Sequence, residues 1–138
     1  MKISQGLLIP VLSLWLIPFS SVNAQTLGEA LDAPDLSWTT GGTYSNFVWE
    51  PTSSAAHDGV DAAKCTLNPG AESWIETSVT GPTAVSFWLR YEVYGYNGGM
   101  QFSVDGVDQM FGEGWDVWYY AAHVIPEGTH VLRWTLVG

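Results

Sequence analysis

Five apolar residues, Val85, Phe87, Leu89, Tyr91 and Val93, alternate along the chain with Ser86, Trp88, Arg90 and Glu92. Period-two alternation sends each set to its own face of an extended chain, so this stretch predicts a strand buried on one side. Met100, Phe102 and Val104 alternate again. Asp105-Gly106 then supplies a two-residue hairpin turn, since both residues tolerate positive φ, and residues 107–111 return as the partner. Shorter β-rich runs come earlier, over residues 36–40, 47–49, 62–66 and 73–80, and Gly81-Pro82 is expected to close the last of them as a sharp turn. Residues 115–134 are the densest stretch of all. They predict two strands, 115–124 and 129–137, folded into a hairpin about Pro126, Glu127 and Gly128 with aromatic residues on both arms.

Residues 27–31 are the one helical candidate, and no helix-period segment is long enough to cross between parallel strands. Eight or so short strands at even spacing therefore predict an all-β, two-sheet antiparallel sandwich. No internal repeat, low-complexity linker or second domain is visible.

The N-terminus changes the count of residues available for that sandwich. Met1 and Lys2 precede an apolar run over residues 7–19, and Val22 and Ala24 place small residues before Gln25. That order is expected of an export signal over residues 1–24, and the run is shorter than the ~20 apolar residues a spanning helix needs. Residues 25–138 then form one domain, secreted or held at the cell surface with no membrane insertion of its own. Three basic residues, Lys64, Arg90 and Arg133, face fourteen acidic ones there, a formal charge of −11. Such a charge argues against nucleic acid and anionic lipid as partners. Cys65 is the single cysteine, so no intrachain disulfide can form, and the core must carry the stability. In its strand-like run Cys65 reads as a small buried apolar residue.

Candidate chemistry is sparse. There is no Gly-x-Ser-x-Gly elbow, no His-Glu-x-x-His site and no Gly-rich phosphate loop. Glu76, Glu92, Asp105 and Asp116 are the acids a sandwich glycosidase would have to pair, although fourteen acids always offer some pair. His123 and His130 are expected to face each other across the terminal hairpin. Asp58 and Asp61, three residues apart in a turn, read either as the start of a calcium site or as turn caps bonded to nearby backbone N–H groups. Seven tryptophans and six tyrosines remain after residue 24. Trp74, Trp118 and Trp134 are expected in the core, where large aromatics usually go. Trp88 stands opposite the apolar set of its strand and with Arg90 makes a candidate sugar platform. Tyr94, Tyr96 and Trp115 flank Gly-rich loops and complete the candidate ligand-binding set.

An ordered set of motifs carries a family resemblance. Leu27-Gly28-Glu29-Ala30-Leu31-Asp32, Trp38-Thr39-Thr40-Gly41-Gly42, His57-Asp58-Gly59-Val60-Asp61-Ala62-Ala63, Trp74-Ile75-Glu76-Thr77, Val79-Thr80-Gly81-Pro82, Ser86-Phe87-Trp88, Val104-Asp105-Gly106 and Ile-Pro-x-Gly-Thr-His-x-Leu-Arg-Trp at residues 125–134 resemble a repeat module of large secreted and cell-surface bacterial proteins. That module is similar in outline to the jelly-roll sandwiches of MAM and cleaved-adhesin domains. The resemblance implies a non-catalytic module for carbohydrate or cell-surface binding and adhesion or, alternatively, a structural spacer without a small-ligand site, and in either case it is compatible with a structural calcium. It also implies a further strand after Arg133-Trp134, so residues 129–137 are expected to be an open sheet edge through which chains self-associate.

Overall fold

The computed structural model describes residues 24–91, 98–113 and 117–138. Among these residues a short helix, α1 (Leu27–Ala30), precedes seven strands: β1 (Thr39–Gly42), β2 (Glu50–Thr52), β3 (Ala62–Lys64), β4 (Glu72–Leu89), β5 (Gly99–Val104), β6 (Val107–Gly112) and β7 (Tyr119–Val137). Helix α1 forms because the Thr26 side chain accepts from Glu29 N–H while the Glu29 carboxylate accepts from Thr26 N–H, a reciprocal cap. The strands make a five-stranded sheet in the order β1-β4-β7-β5-β6 and a two-stranded sheet, β2-β3. All pairings are antiparallel. The expected class, an all-β antiparallel fold of two sheets, is the one adopted.

Two expected turns are strand interiors instead. β4 runs straight through Gly81-Pro82, whose peptide bond is cis, and β7 runs through Pro126, Glu127 and Gly128. The two arms of residues 115–134 do not pair with each other; both pair with β4, from Glu72↔Val137 to Leu89↔Tyr119. The two Pro/Gly segments lie opposite one another, where the register passes from Gly81↔Gly128 to Thr83↔Ile125. β7 thus carries one extra residue, a bulge, and the ladder is interrupted where Pro126 has no N–H to give.

That extra residue decides which side chains face inward. In β4 the odd positions face inward on both sides of the bulge, Ile75 and Thr77 before it and Leu89 after it, with Thr83 exposed beside the bulge itself. In β7 the parity flips, from buried Leu132 and Leu136 to buried Ile125. Without the flip one half of β7 would have turned its polar face to the core. The strands approach so closely here that a Cβ on Gly81 would lie 1.7 Å from the Pro126 carbonyl oxygen. Beyond the bulge the pair folds back, and Phe87 and His123 of this distal arm meet Phe102 of β5 at ring distances of 5.0 and 5.8 Å.

The core lies between these layers. Leu89, Tyr91, Met100 and Leu136 form one buried cluster and Phe102, Val104, Ile125 and Leu132 the other. Phe87, Met110 and Trp134 pack against both. Cys65 is half-buried against the first cluster, as its apolar reading requires, and burial pushes its thiol pKa up.

The open edge expected at residues 129–137 is a second correction. This segment is the centre of the sheet, with β4 on one side and β5 on the other, from Gly99↔Val137 to Val104↔Leu132. The place expected for a further strand is taken by β5, so self-association through this segment would find no free ladder. The sheet's edges are β1 and β6. The Asp105-Gly106 hairpin forms as expected, with φ of 50° and 77° at its two residues. Asp105 also ties the hairpin to β7: its carboxylate accepts from Val131 N–H at 2.8 Å and meets His130 Nδ1 at 2.7 Å.

Candidate functional site

The outward face of the distal arm carries an aromatic patch. Trp88 on β4 and Tyr120 on β7 are direct cross-strand partners, their ring centroids 5.2 Å apart and tilted at 55°. Directly opposed positions bring side chains together on one face, so the pairing register alone creates the contact. The two residues remain 46% and 50% exposed. His57, from the β2–β3 connection, stacks on the Trp88 indole at 3.8 Å and 13°, and meets Trp118 edge-on at 5.6 Å.

The loop that delivers His57 is held by its own short polar side chains. Val60 N–H donates to Asp58 Oδ1 at 2.8 Å, and Ser54 N–H donates to Thr52 Oγ1 at 3.2 Å. Asp61 accepts from the Gln25 side chain, fastening the loop to the segment ahead of α1. Four rings from three chain segments thus form one ledge. Flat aromatic faces of this kind offer a stacking surface, and His57 and Tyr120 add polar atoms to the same ledge.

The candidate residues are only partly brought together. Trp88 is at the centre of the patch, and Arg90 follows β4 directly and is exposed. Tyr94, Tyr96 and Trp115 lie outside the described residues, as do Glu92 and Asp116. Asp58 and Asp61 share a loop, each with a carboxylate oxygen already accepting a hydrogen bond, and among the described residues no group of three His, Cys, Asp or Glu side chains gathers to hold a metal. Trp118, expected in the core, belongs to the patch. Trp134 packs half-buried on both core clusters, whereas Trp74 lies on the sheet with the Arg133 guanidinium 4.3 Å above its ring. Arg133 also donates to Glu76 at 2.6 Å across the β4–β7 pair. His57 and Tyr120 were not legible as site residues, because their proximity to Trp88 arises from a loop path and a strand register.

A second concavity lies between the distal arm and β6. This open cleft of about 290 Å³ is lined by apolar Phe87, Phe102 and Met110 and by Gln109, Tyr119, Tyr120 and His123. His123 does not meet His130. The two sit on one continuous strand opposite Val85 and Val79, because β7 is not a hairpin. His130 instead bonds to Asp105, which raises the His130 pKa, while the same bond and that from Val131 N–H lower the Asp105 pKa.

Fold and surface together define a two-layer antiparallel β-sandwich that displays aromatic side chains outside its core. No family model and no curated protein matches the chain. Among solved structures it is similar to the native structure of a family 35 carbohydrate binding module from Clostridium thermocellum, with 18% identity over 77% of this chain and 83% of that one and a TM-score of 0.37.

Proposed function

We propose that the chain is an exported, non-catalytic module that binds a polysaccharide or cell-surface glycan by stacking sugar rings on the Trp88–Tyr120 patch, backed by His57 and Trp118. The observation that carries this reading is the exposure of Trp88 and Tyr120, 46% and 50%, on a paired two-stranded arm. Leaving about half of a large aromatic side chain in water forgoes roughly 2–3 kcal/mol of burial. Contiguous rings left outside in this way mark a contact surface rather than a packing accident. Support for a non-catalytic role is that Glu76 is ion-paired with Arg133 and Asp105 with His130, so neither is a free carboxyl poised for proton transfer.

Titration of intrinsic tryptophan fluorescence against plant, algal and animal-type polysaccharides tests the proposal. Quenching or enhancement is expected with at least one glycan. Trp88→Ala and Tyr120→Ala should each weaken that binding at least tenfold while the melting transition stays cooperative. Full-strength binding by both variants would overturn the assignment, and no response across the panel would leave a spacer module as the better reading.

A further inference from the structure

The cleft between the distal arm and β6 adjoins the aromatic ledge, Tyr120 bordering both, and its chemistry differs. We infer that the cleft walled by Gln109, Tyr119 and His123 is a second subsite, which takes a single neutral pyranose unit of the glycan whose neighbouring rings lie on the Trp88–Tyr120 patch. The inference rests on the glycan-binding reading and adds a second contact and a substrate class to it.

Three observations converge. First, Tyr119 and Tyr120 are consecutive on β7, so the strand that presents Tyr120 to the patch also forms a wall of the cleft. Second, residues 120–125 pair with β4 on one side, and among the described residues no strand pairs with them on the other. Alternate backbone N–H and C=O groups along that free side need partners, and a hydroxyl-rich chain crossing from ledge to cleft supplies them. Third, the half-buried His123 ring touches Phe102 edge-on at 5.8 Å and makes no hydrogen bond among the described residues, while Gln109 commits its Nε2 to Val107 O at 2.9 Å and turns its amide to the cleft. An apolar, aromatic lining with a few polar groups suits a ring with one apolar face and equatorial hydroxyls.

Size and charge set the class. About 290 Å³ falls just under the usual span of small-molecule sites, roughly 300–1,000 Å³, which suits one sugar ring and not an oligomer. No Lys or Arg lines the cleft, and the chain carries a net charge of −10. A uronic acid or sulfated sugar would enter a negative field with no cation to receive it, so the unit is neutral.

The test follows the imidazole C–H resonances by NMR, with those of His123 assigned from His123→Gln. D-glucose, D-galactose, D-mannose and the matching uronates are titrated to tens of millimolar. At least one neutral sugar is expected to shift the His123 signals and leave those of His130 in place. His123→Ala and Gln109→Ala should weaken that binding at least tenfold with an unchanged melting curve. His123 signals unmoved by every neutral sugar, or tighter binding of the uronates, would overturn the inference. Oligosaccharides that perturb Trp88 and His57 but not His123 would keep the patch and remove the cleft; shifts at His123 with an inert Trp88 would keep the cleft and remove the patch.

Discussion

Replacing Gly81 by alanine should be the most damaging single-methyl change in this sandwich. The added Cβ would lie 1.7 Å from Pro126 O, 2.7 Å from Pro126 C and 2.9 Å from Ile125 O, all backbone atoms with no side-chain freedom to yield. Real Cβ contacts essentially never fall below 3.0 Å, so β4 and β7 would have to part by roughly 1.3 Å at the bulge. Overpacking of this kind costs about 1–3 kcal/mol, and disturbing a neighbouring ladder hydrogen bond adds about 1 kcal/mol. Ile125, fully buried beside the bulge, would be displaced with the strand. We therefore expect a loss of about 3 kcal/mol or more, against a total of about 5–15 kcal/mol for a typical domain. At about 4 °C per kcal/mol for a domain of this size, the melting midpoint should fall by about 12 °C. Urea unfolding followed by circular dichroism measures the loss. Gly106→Ala is the control: nothing lies within 4 Å of its Cβ position, and its φ of 77° costs about 1–2 kcal/mol in an L-residue. A Gly81→Ala protein within about 0.5 kcal/mol of the parent, or one less damaged than Gly106→Ala, would refute the account of the bulge.

The Asp105–His130 pair makes stability depend on pH. His130 titrates above its ordinary 6.5 when folded, so its contribution is full below pH 6.5 and is lost as pH rises through the raised value. Asp105 titrates below its ordinary 3.8, so its contribution is present above pH 3.8 and is lost as pH falls through the lowered value. Urea midpoints should therefore peak between these limits, and His130→Ala should flatten the alkaline fall; an unchanged profile would remove the pair from the stability balance. For the loop that carries His57, Asp58→Ala removes the acceptor for Val60 N–H and should cost about 1 kcal/mol, with a shift in Trp88 fluorescence as His57 loses its seat. The same cost in calcium and in chelator is expected of a turn cap. A calcium-dependent stabilisation of the parent that vanishes in Asp58→Ala and Asp61→Ala would instead establish those carboxylates as metal ligands.

Several features were readable from local pattern alone. Period-two alternation marks which residues of β4 and β5 face inward, since adjacent side chains on an extended chain must point to opposite faces. The Asp105-Gly106 turn is equally local, because positive φ at two successive positions selects those residue types. Gly81-Pro82 and Pro126-Glu127-Gly128 carry the same turn chemistry, yet they form a bulge. A bulge and a turn use similar residues, and the choice between them depends on whether a second Pro/Gly segment sits across the ladder. Strand order is likewise a long-range matter: β5 fills the side of residues 129–137 that was expected to be open, and nothing within either segment encodes that pairing. Trp88 was legible as a surface candidate, because it broke the polar set of its own strand. Tyr120, Trp118 and His57 joined it through register and a loop path, which exist only once residues far apart in the chain have been brought into contact.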